Sequence, residues 1–401
     1  MTAPTVTNPR LDSPDTFVPG VPHEAFTRLR REAPVYRQEM AEGGSFWVLS
    51  KYHDIVYASQ HPHIFSSSKG VIVQDMAQGG MELMMLNMDP PQHTKLRSLV
   101  NMGFTPKMIR QMETHVRGIT RQIVRDAVEK REFDFVTEVA AELPLRVIAE
   151  MIGIPQEDRH QIFEWSNQMV GVEDPEYGLS METAQQAAMG MFAYANQLAE
   201  QRVQRPEDDL VSVLMQAEVD GAKLTPVEFN VFFLLLAVAG NETTRNLISG
   251  GMQALIEHPD QLAVVQQDRS HLNSAVEEML RWVTPVMYFR RTVMEDTEVR
   301  GQPLAAGDMI TMWYVSGNRD EEVFPDGDVF NVRRDPNPHI TFGGGGPHFC
   351  LGYSLARLEI RLMFEELLSS IAQFELTGPV ARLRSNFING IKHIPMRIVP
   401  R

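Results

Sequence analysis

A run of about 32 residues between Thr225 and Pro259 constrains most what this chain can fold into. Thr225-Pro-Val-Glu228 is a capping box with proline at the first helical position. An apolar pattern of helical period follows as far as His258-Pro259, which makes a helix about 48 Å long. The middle of this helix is apolar on all sides, so we expect it to be buried. The sequence therefore predicts a large domain that encloses one long helix.

A short polar motif interrupts the apolar run near its middle, at Ala239-Gly-Asn-Glu-Thr-Thr244. Polar groups in a buried helix cost free energy unless they are hydrogen-bonded or functional, and Gly240 costs about 1 kcal/mol relative to alanine. A glycine beside an acid and two threonines favours a local opening, with threonine hydroxyls bonding back to carbonyl groups. Two interpretations follow. The motif is either a kinked structural helix with a satisfied polar patch, or a pocket where Glu242 and Thr243 relay protons.

The only cysteine, Cys350, ends a glycine-rich loop that starts at Phe342 and reads Phe-Gly-Gly-Gly-Gly-Pro-His-Phe-Cys. The glycines let the main chain approach a flat ligand, and a helix that begins after the cysteine would stabilise a thiolate. A thiolate presented to a planar cofactor is typical of haem iron ligation. The alternatives are a small buried apolar residue and a phosphate loop. Against the second, no Gly-Lys-Ser/Thr sequence follows the glycines.

Several basic or imidazole side chains occur where they could hold the acidic groups of a cofactor. His93 and Arg97 are four residues apart and share one face of a predicted helix. Arg291 enters a predicted strand, and His348 stands two residues before the cysteine. Two such side chains on one helix face are equally typical of a solvated surface, so this pattern alone leaves both readings open.

Outside these motifs, the pattern predicts one mainly helical domain with small sheets. From Pro91 to about Gln266, apolar residues recur at three- and four-residue spacing. Residues 1–20 are polar and rich in proline, so we predict a flexible N-terminal arm there and a single domain over 21–401. Short strand patterns lie at Val35–Arg37, Phe46–Leu49, Phe289–Val293, Asp308–Val315 and Phe387–Ile398.

Charge and composition argue against several classes of protein. The formal net charge of −15 disfavours nucleic acid as a partner. The longest apolar stretch, Val231–Ala239, is too short to span a bilayer, and we expect neither a signal peptide nor a membrane anchor. A single cysteine permits no internal disulfide, which predicts a cytoplasmic location.

Together the motifs resemble the cytochrome P-450 superfamily of haem-thiolate monooxygenases, over nearly the whole chain. The resemblance rests on the Cys350 loop, the Ala239–Thr243 motif and Glu278-x-x-Arg281, which stand in the family's order and spacing. It implies a mainly α fold with minor β structure, a triangular prism in which a long central helix lies over the haem and the cysteine loop below it. It also implies haem b (iron protoporphyrin IX) as the cofactor.

The resemblance assigns roles to single residues. Cys350 would be the iron ligand, and the haem propionates would be bound by His93, Arg97, Arg291 and His348. Glu242 and Thr243 would deliver protons, while Glu278 and Arg281 would form a structural pair that holds the core under the haem. In this family, two electrons and O₂ serve to insert oxygen into a C–H bond.

Two positions depart from the family pattern. The usual loop has phenylalanine seven residues before the cysteine, whereas here that position is Gly343 and Phe342 lies eight before. The family often carries an arginine just before a phenylalanine in the segment that precedes the loop. Here a valine precedes Phe330, so Arg333 or Arg334 would have to substitute.

The extra glycine, together with Asn-Glu-Thr-Thr-Arg-Asn at 241–246, resembles a bacterial subgroup that oxidises sterol side chains, methyl-branched lipids and terpenoid chains. The expected pocket residues are apolar or small, which predicts a bulky or chain-like hydrophobic substrate: Met85, Ala239, Gly240, Val286, Met287 and Ile388. The methionines between residues 76 and 88 fit a pocket or a plain core equally well.

The chain shows no flavin or ferredoxin domain, so we expect electrons from a separate ferredoxin with its reductase. Basic residues flank the presumed proximal face of the haem and would attract an acidic ferredoxin: Lys95, Lys107, Arg110, Arg357 and Arg361. Scattered solvated charge is the alternative explanation for this set.

Three functions remain open: an O₂-dependent monooxygenase, a peroxide-driven peroxygenase, and a non-catalytic haem-thiolate sensor or ligand carrier. Peroxygenases of the family replace the acid–threonine pair, which this chain keeps at Glu242 and Thr243. A sensor would not need an acid and a hydroxyl in a buried helix. The motif therefore favours the monooxygenase.

Overall fold

A computed structural model of the protein describes residues 10–41, 43–74, 81–177, 180–219 and 221–401. Residues 1–9 of the predicted arm and Met76 of the methionine-rich segment lie outside this part of the chain. No helix within the described ranges is long and apolar enough to cross a membrane.

Most of the described structure is helical, as predicted. Short 3₁₀ turns, one of them Met85–Asn87, and a π-helical turn at Val136–Ala140 connect the α-helices. The α-helices are α1 His23–Glu32, α2 Tyr52–Gln60, α3 Gln92–Asn101, α4 Pro106–Lys130, α5 Glu142–Ile152, α6 Arg159–Val170, α7 Met181–Gln204, α8 Leu210–Gln216, α9 Pro226–Glu257, α10 Pro259–Gln267, α11 Leu272–Val283, α12 Tyr314–Gly317 and α13 Tyr353–Ser370.

The long central helix has the predicted bounds. At the start of α9, the Glu228 N–H donates to Thr225 Oγ1 (3.3 Å) and the Thr225 N–H donates to the Glu228 carboxylate (2.8 Å), which completes the capping box. The helix ends at Glu257 because His258 precedes a proline and leaves the helical conformation. It stays α-helical through the polar motif, so the expected local opening does not interrupt the helix.

The strands form one larger sheet and several small ones. The five-stranded sheet has the order β1-β2-β10-β7-β3, a three-stranded sheet has the order β11-β14-β4, and three hairpins pair β5 with β6, β8 with β9 and β12 with β13. The strands are β1 Val35–Glu39, β2 Ser45–Leu49, β3 Phe65–Ser66, β4 Glu132–Asp134, β5 Glu218–Val219, β6 Ala222–Lys223, β7 Tyr288–Val293, β8 Thr297–Val299, β9 Gln302–Leu304, β10 Met309–Trp313, β11 Ile371–Leu376, β12 Ala381–Arg382, β13 Ile391–His393 and β14 Pro395–Pro400. Each predicted strand region contains a strand, and the last one splits into β13 and β14.

The main hydrophobic core surrounds α9. Helices α5, α6, α7, α11 and α13 all contact it, and buried residues from these helices belong to the same cluster. This packing explains why the middle of α9 is apolar around its circumference, since other helices surround that part of it.

The first described residues are packed, which corrects the predicted flexible arm over residues 10–20. Leu11 and Phe17 are buried, and the Phe17 ring stacks on the Trp313 ring at a centroid distance of 5.8 Å. Arg384 donates two hydrogen bonds to the Asp15 carboxylate (2.6 and 3.0 Å). These partners come from the far end of the chain, so local composition carried no sign of them. The single domain over 21–401 stays a prediction.

Candidate active site

One face of α9 is accessible, although the helix lies within the main core. Between residues 229 and 256, Ala239 alone is exposed, although it lies in the middle of a buried helix. Leu235 and Thr243, four residues before and after it, are partly exposed. Residues at this spacing lie above one another on a helix. The three residues, which we call the open face of α9, therefore border an accessible cavity.

Thr243 and Glu242 are adjacent on α9 but point in different directions. The Thr243 hydroxyl donates to the Ala239 carbonyl (2.9 Å), which is the predicted bond back to the preceding turn. The Glu242 carboxylate forms a buried ion pair with Arg245, and Arg245 Nη1 donates to Asn167 Oδ1 of α6 (2.7 Å). Burial raises the pKa of Glu242, and the Arg245 charge opposes that rise. The acid is thus held next to the cavity rather than inside it.

The glycine loop before Cys350 wraps over the end of α2. Three of its four glycines have positive φ, and a Cβ at Gly346 would lie 2.2 Å from the Ser59 carbonyl oxygen. The loop still closes on itself, because the Cys350 N–H donates to the Phe342 carbonyl (2.9 Å). Only glycine tolerates both this backbone conformation and this contact, which explains how the loop holds one residue more than usual.

The Cys350 thiol lies just before α13, as predicted. Burial raises the pKa of this thiol, while the Gly352 N–H, Arg97 and Arg357 act in the opposite direction. The Gly352 N–H at the start of α13 thus acts on the thiol in the predicted direction, but the effect of burial on the pKa is the larger one. Metal binding would displace the proton, because a thiolate is the form that ligates a metal.

Two histidines and an arginine of the predicted cofactor set lie together beside this loop. The His93 and His348 rings are 4.2 Å apart. Arg97 donates to two carbonyl groups of the loop, one of them that of Pro347 (2.9 Å). Burial and neighbouring arginines lower the pKa of His93 to about 4 and that of His348 to about 2. Both rings are therefore neutral at pH 7, and each can donate one N–H.

Arg291 adds a buried cation to this group. It lies close enough to both histidines to lower their pKa values, and burial lowers its own. No carboxylate of the described residues forms an ion pair with Arg291, and His93 Nδ1 is buried with no hydrogen-bond partner. A buried cation without an ion-pair partner is costly, and the Asp89 charge acts on Arg291 only from a distance. The group therefore fits a bound anion, such as the propionates of a haem whose iron is ligated by Cys350.

Glu278 and Arg281 form a fully buried pair in α11. Arg281 Nε and Nη2 donate to the two Glu278 oxygens at 2.8 and 2.7 Å, and the guanidinium also donates to three carbonyl groups between residues 318 and 329. Arg334 adds a third member, since its Nε lies 3.1 Å from Glu278 Oε2. Arg333 is exposed and donates to His271 instead (3.4 Å). Of the two arginines suggested by the sequence, Arg334 completes the triad.

The structure separates the predicted pocket residues. Val286 and Ile388 face each other in an isolated antiparallel bridge. Met287 lies instead in a second core cluster with Trp313, because neighbouring residues of an extended segment point to opposite sides. Met287 therefore does not line the predicted pocket.

Gly240 does not line the predicted pocket either, because it faces α5. A Cβ at this position would lie 2.7 Å from Ile148 Cγ1, so the glycine permits the close approach of α5 and α9. Ala239 lies on the open face, one residue away. Met85 is buried in the main core, which agrees with the alternative that some of these methionines only fill space.

Sequence reasoning missed Leu235, Arg245 and two more distant partners. Leu235 precedes Ala239 by four residues and Arg245 follows Glu242 by three, so helical spacing could have identified both. The other two partners are Ser67, whose hydroxyl lies 3.1 Å from His348 Nε2, and Asn167, which accepts from Arg245. Both belong to segments that are remote in the sequence, so helical spacing could not identify them.

Comparison with known proteins agrees with this arrangement. The profile of the cytochrome P-450 family matches residues 16–377. The chain belongs to the cytochrome P-450 family. It is therefore a haem-thiolate monooxygenase, and its mainly α fold with minor β structure is the one that the motifs predicted.

Relatives with assigned activities are similar over almost the whole length. A steroid C26-monooxygenase of Rhodococcus jostii is 42% identical over 392 residues, covering 94% of this chain and 82% of the relative. A methyl-branched lipid omega-hydroxylase of Mycobacterium tuberculosis is 44% identical over 384 residues, covering 93% and 90%. A cytochrome P-450 of Mycobacterium marinum, solved in complex with pseudoionone, has a TM-score of 0.90 and 38% identity, covering 94% of each chain. These relatives support an enzyme that hydroxylates a hydrophobic substrate.

Proposed function

We propose that this enzyme hydroxylates a C–H bond near the end of an apolar chain, in a sterol side chain, a branched lipid or a terpenoid. The observation that carries the proposal is the open face of α9, where Leu235 and Ala239 present apolar surface beside the Thr243 hydroxyl. A cavity with one polar group and no charged side chain on this face suits a ligand that is held by its apolar surface. The relatives act, by their names, on carbon 26 of a steroid and on the omega position of a lipid.

The cofactor would be haem b. Cys350 would ligate its iron, and its propionates would be bound by His93, Arg97, Arg291 and His348. When bound, the haem would use O₂ and two electrons to insert one oxygen atom into a C–H bond, while the other leaves as water. The Gly352 N–H, which lowers the pKa of the Cys350 thiol, would donate to the sulfur and moderate its electron donation.

Glu242 and Thr243 would supply the protons for this reaction. Arg245 holds Glu242 Oε2, whereas Oε1 has only a long contact with the Asn241 amide (3.5 Å), so Oε1 is the oxygen free to exchange a proton. The Thr243 hydroxyl donates to the Ala239 carbonyl, and its oxygen can still accept a hydrogen bond. To pass a proton on, it would release the Ala239 carbonyl, donate its own proton toward the cavity and accept one that comes from Glu242.

A panel of sterols, methyl-branched fatty acids and terpenoids tests the substrate class. We expect a subset to shift the haem spin state and to be hydroxylated when reduced ferredoxin supplies electrons. Leu235→Phe should weaken binding of bulky members most, whereas Val227→Phe, at the exposed start of α9, should weaken none. Turnover with hydrogen peroxide but not with ferredoxin would indicate the peroxygenase, and binding without product would indicate a carrier.

A separate ferredoxin with its reductase would supply the electrons, and the cytoplasmic location favoured by the single cysteine would give access to both. A groove of about 950 Å³ lies between the start of α4, α11 and α13. The protein has a net charge of −15, yet the lining of this groove contains more arginines than acidic residues. The five arginines are Arg110, Arg333, Arg334, Arg357 and Arg361, and the three acidic residues are Glu113, Glu277 and Asp335. Charge complementarity would bring an acidic ferredoxin to this surface.

The structure changes which of the predicted basic residues should matter. Arg357 is paired with Glu277 (2.7 Å), and Arg361 with Glu113 (2.9 Å), so their charges are already compensated. Lys107 and Arg110 are exposed at the start of α4, and no acid of the described residues pairs with either. These two residues are the better docking candidates.

Reversing both charges, in Lys107→Glu with Arg110→Glu, should raise the KM for reduced ferredoxin about tenfold by removing electrostatic attraction. The measurement is ferredoxin-dependent turnover at low salt, with the reduced carbon monoxide spectrum as a check on the haem. Arg125→Glu is the matched control, because Arg125 is exposed on the same helix several turns away. An unchanged KM in the double variant would rule out docking at this position.

A further inference from the structure

Two histidines lie side by side at the surface, in the turn between α2 and β3. The chain reads His61-Pro62-His63 directly after the end of α2. The centroids of the His61 and His63 rings are 5.8 Å apart. His63 is exposed and His61 is partly exposed, so solutes can reach both rings. Neither histidine belongs to the candidate active site or to the groove beside α4.

A tight turn of the backbone brings the two rings together. His61 precedes a proline and leaves the helical conformation. Its carbonyl oxygen accepts from the Ile64 N–H (3.0 Å) and from the Phe65 N–H (2.9 Å), so the chain folds back between His61 and Phe65. The ring of Pro62 fixes its own φ angle. The histidines are therefore preorganised by the backbone, and a ligand that binds both does not have to order a flexible loop.

The His61 ring is held in one tautomer. Its Nδ1 lies 2.7 Å from the Tyr57 carbonyl oxygen, which can only accept a hydrogen bond, so Nδ1 carries the proton of the neutral imidazole. The lone pair of Nε2 is then available to a ligand. The Tyr57 ring, whose centroid is 4.3 Å from that of His61, restricts rotation of the imidazole. Metal-binding histidines have this arrangement, in which one ring nitrogen donates to a protein oxygen and the other binds the metal.

The spacing of the two rings suits one metal ion between them. A zinc–nitrogen distance of about 2.0–2.1 Å places the ion about 3.2 Å from each ring centroid, so two rings can share an ion at centroid separations up to about 6.4 Å. The observed 5.8 Å lies within this limit. Imidazole nitrogen favours zinc, copper and nickel over magnesium and calcium. The net charge of −15 also attracts cations to the protein.

We propose that His61 and His63 bind a divalent transition-metal ion, Zn²⁺, Ni²⁺ or Cu²⁺, through one nitrogen of each ring. Within the described ranges no group of three or more His, Cys, Asp or Glu side chains could hold a metal ion. Water would therefore complete the coordination of the ion. The site is independent of the proposed function, since it involves neither the haem nor the substrate cavity.

An ion at this site would stiffen the support of the cysteine loop. Gln60 Nε2 donates to the Gly344 carbonyl (3.2 Å), and the Ser59 carbonyl lies against Gly346. Ser59 and Gln60 directly precede His61. Fixing both imidazoles should therefore slow local opening of residues 59–65, which amide hydrogen exchange measures.

The test is a calorimetric titration of the haem-loaded enzyme, without a polyhistidine tag, with Ni²⁺. We expect one ion to bind the wild-type protein. His61→Gln and His63→Gln should each weaken its binding about 100-fold, because either change removes the high effective concentration of the second imidazole. His53→Gln is the matched control, since His53 is exposed on α2 about two turns before His61. It should bind Ni²⁺ like the wild type, and circular dichroism should show the same helical content for all variants.

Hydrogen exchange then locates the ion. Ni²⁺ should slow exchange of residues 59–65 in the wild type and in His53→Gln but in neither of the other variants, and Mg²⁺ should have no effect. A wild-type protein that binds no Ni²⁺ below about 1 mM would overturn the proposal. So would unchanged affinity in His61→Gln and His63→Gln, an equal loss in His53→Gln, or Ni²⁺ binding that leaves exchange of residues 59–65 unaltered.

Discussion

Replacing Arg281 by alanine should destabilise the fold by about 3–5 kcal/mol, the usual cost of leaving a buried charge without its partner. Arg281 and Glu278 are both 0% exposed, and the arginine also donates to carbonyl groups of the segment between residues 318 and 329. Its loss leaves the Glu278 carboxylate with Arg334 as its remaining cationic partner among the described residues. We expect a markedly lower Tm and poor retention of haem, measured by thermal unfolding and by the haem-to-protein absorbance ratio.

The neighbouring arginines provide a graded control for this prediction. Arg334→Ala removes one member of the triad but leaves the Glu278–Arg281 pair, so it should cost less than Arg281→Ala. Arg333→Ala changes an exposed side chain and should alter stability by no more than about 0.5 kcal/mol. Equal unfolding temperatures for Arg281→Ala and Arg333→Ala would contradict the bracing role of the pair.

Replacing Glu242 by glutamine should lower turnover per bound haem roughly 100-fold. The change also leaves the buried Arg245 without its counter-charge, so we expect some loss of stability beside the loss of turnover. The amide keeps the size of the side chain but cannot accept and return a proton. Because burial raises the pKa of Glu242, wild-type turnover should show an ionisation above the ordinary glutamate range, and the variant should not. The measurement is ferredoxin-driven product formation as a function of pH, together with oxygen consumed per product.

Glu257→Gln is the matched control for this variant. Glu257 lies on the same helix at its exposed end, where its side chain accepts from Gln253. We expect wild-type turnover from it. A Glu242→Gln enzyme with normal turnover and an unaltered pH profile would show that the proton reaches the cavity by another route.

Features set by local sequence were predictable. The capping box at Thr225–Glu228 and the proline after His258 determine both ends of α9 through contacts within one turn, and the structure has both ends where the sequence places them. The grouping of His93 and His348 beside the cysteine loop followed from family resemblance rather than from spacing, since the two residues meet only through tertiary packing.

Features set by long-range packing were not predictable. Gly240 faces Ile148 of α5 rather than the pocket, and Met287 is buried in the same cluster as Trp313. Arg357 and Arg361 look like free cations in the sequence, yet their partners Glu277 and Glu113 come from other helices. The packing of residues 10–20 and the ion pair of Asp174 with Lys392 have the same origin. Each depends on contacts between segments that are far apart in the chain.

The carbon monoxide spectrum of the reduced protein tests the central claim, that Cys350 holds a haem through its sulfur, most directly. The wild-type protein should show the absorption of thiolate-ligated haem, and Cys350→Ala should lose it while keeping its helical content by circular dichroism. Cys350→Ser, which has a hydroxyl in place of the thiol, should lose it as well. A Cys350→Ala protein with an unchanged thiolate-haem spectrum would contradict the account.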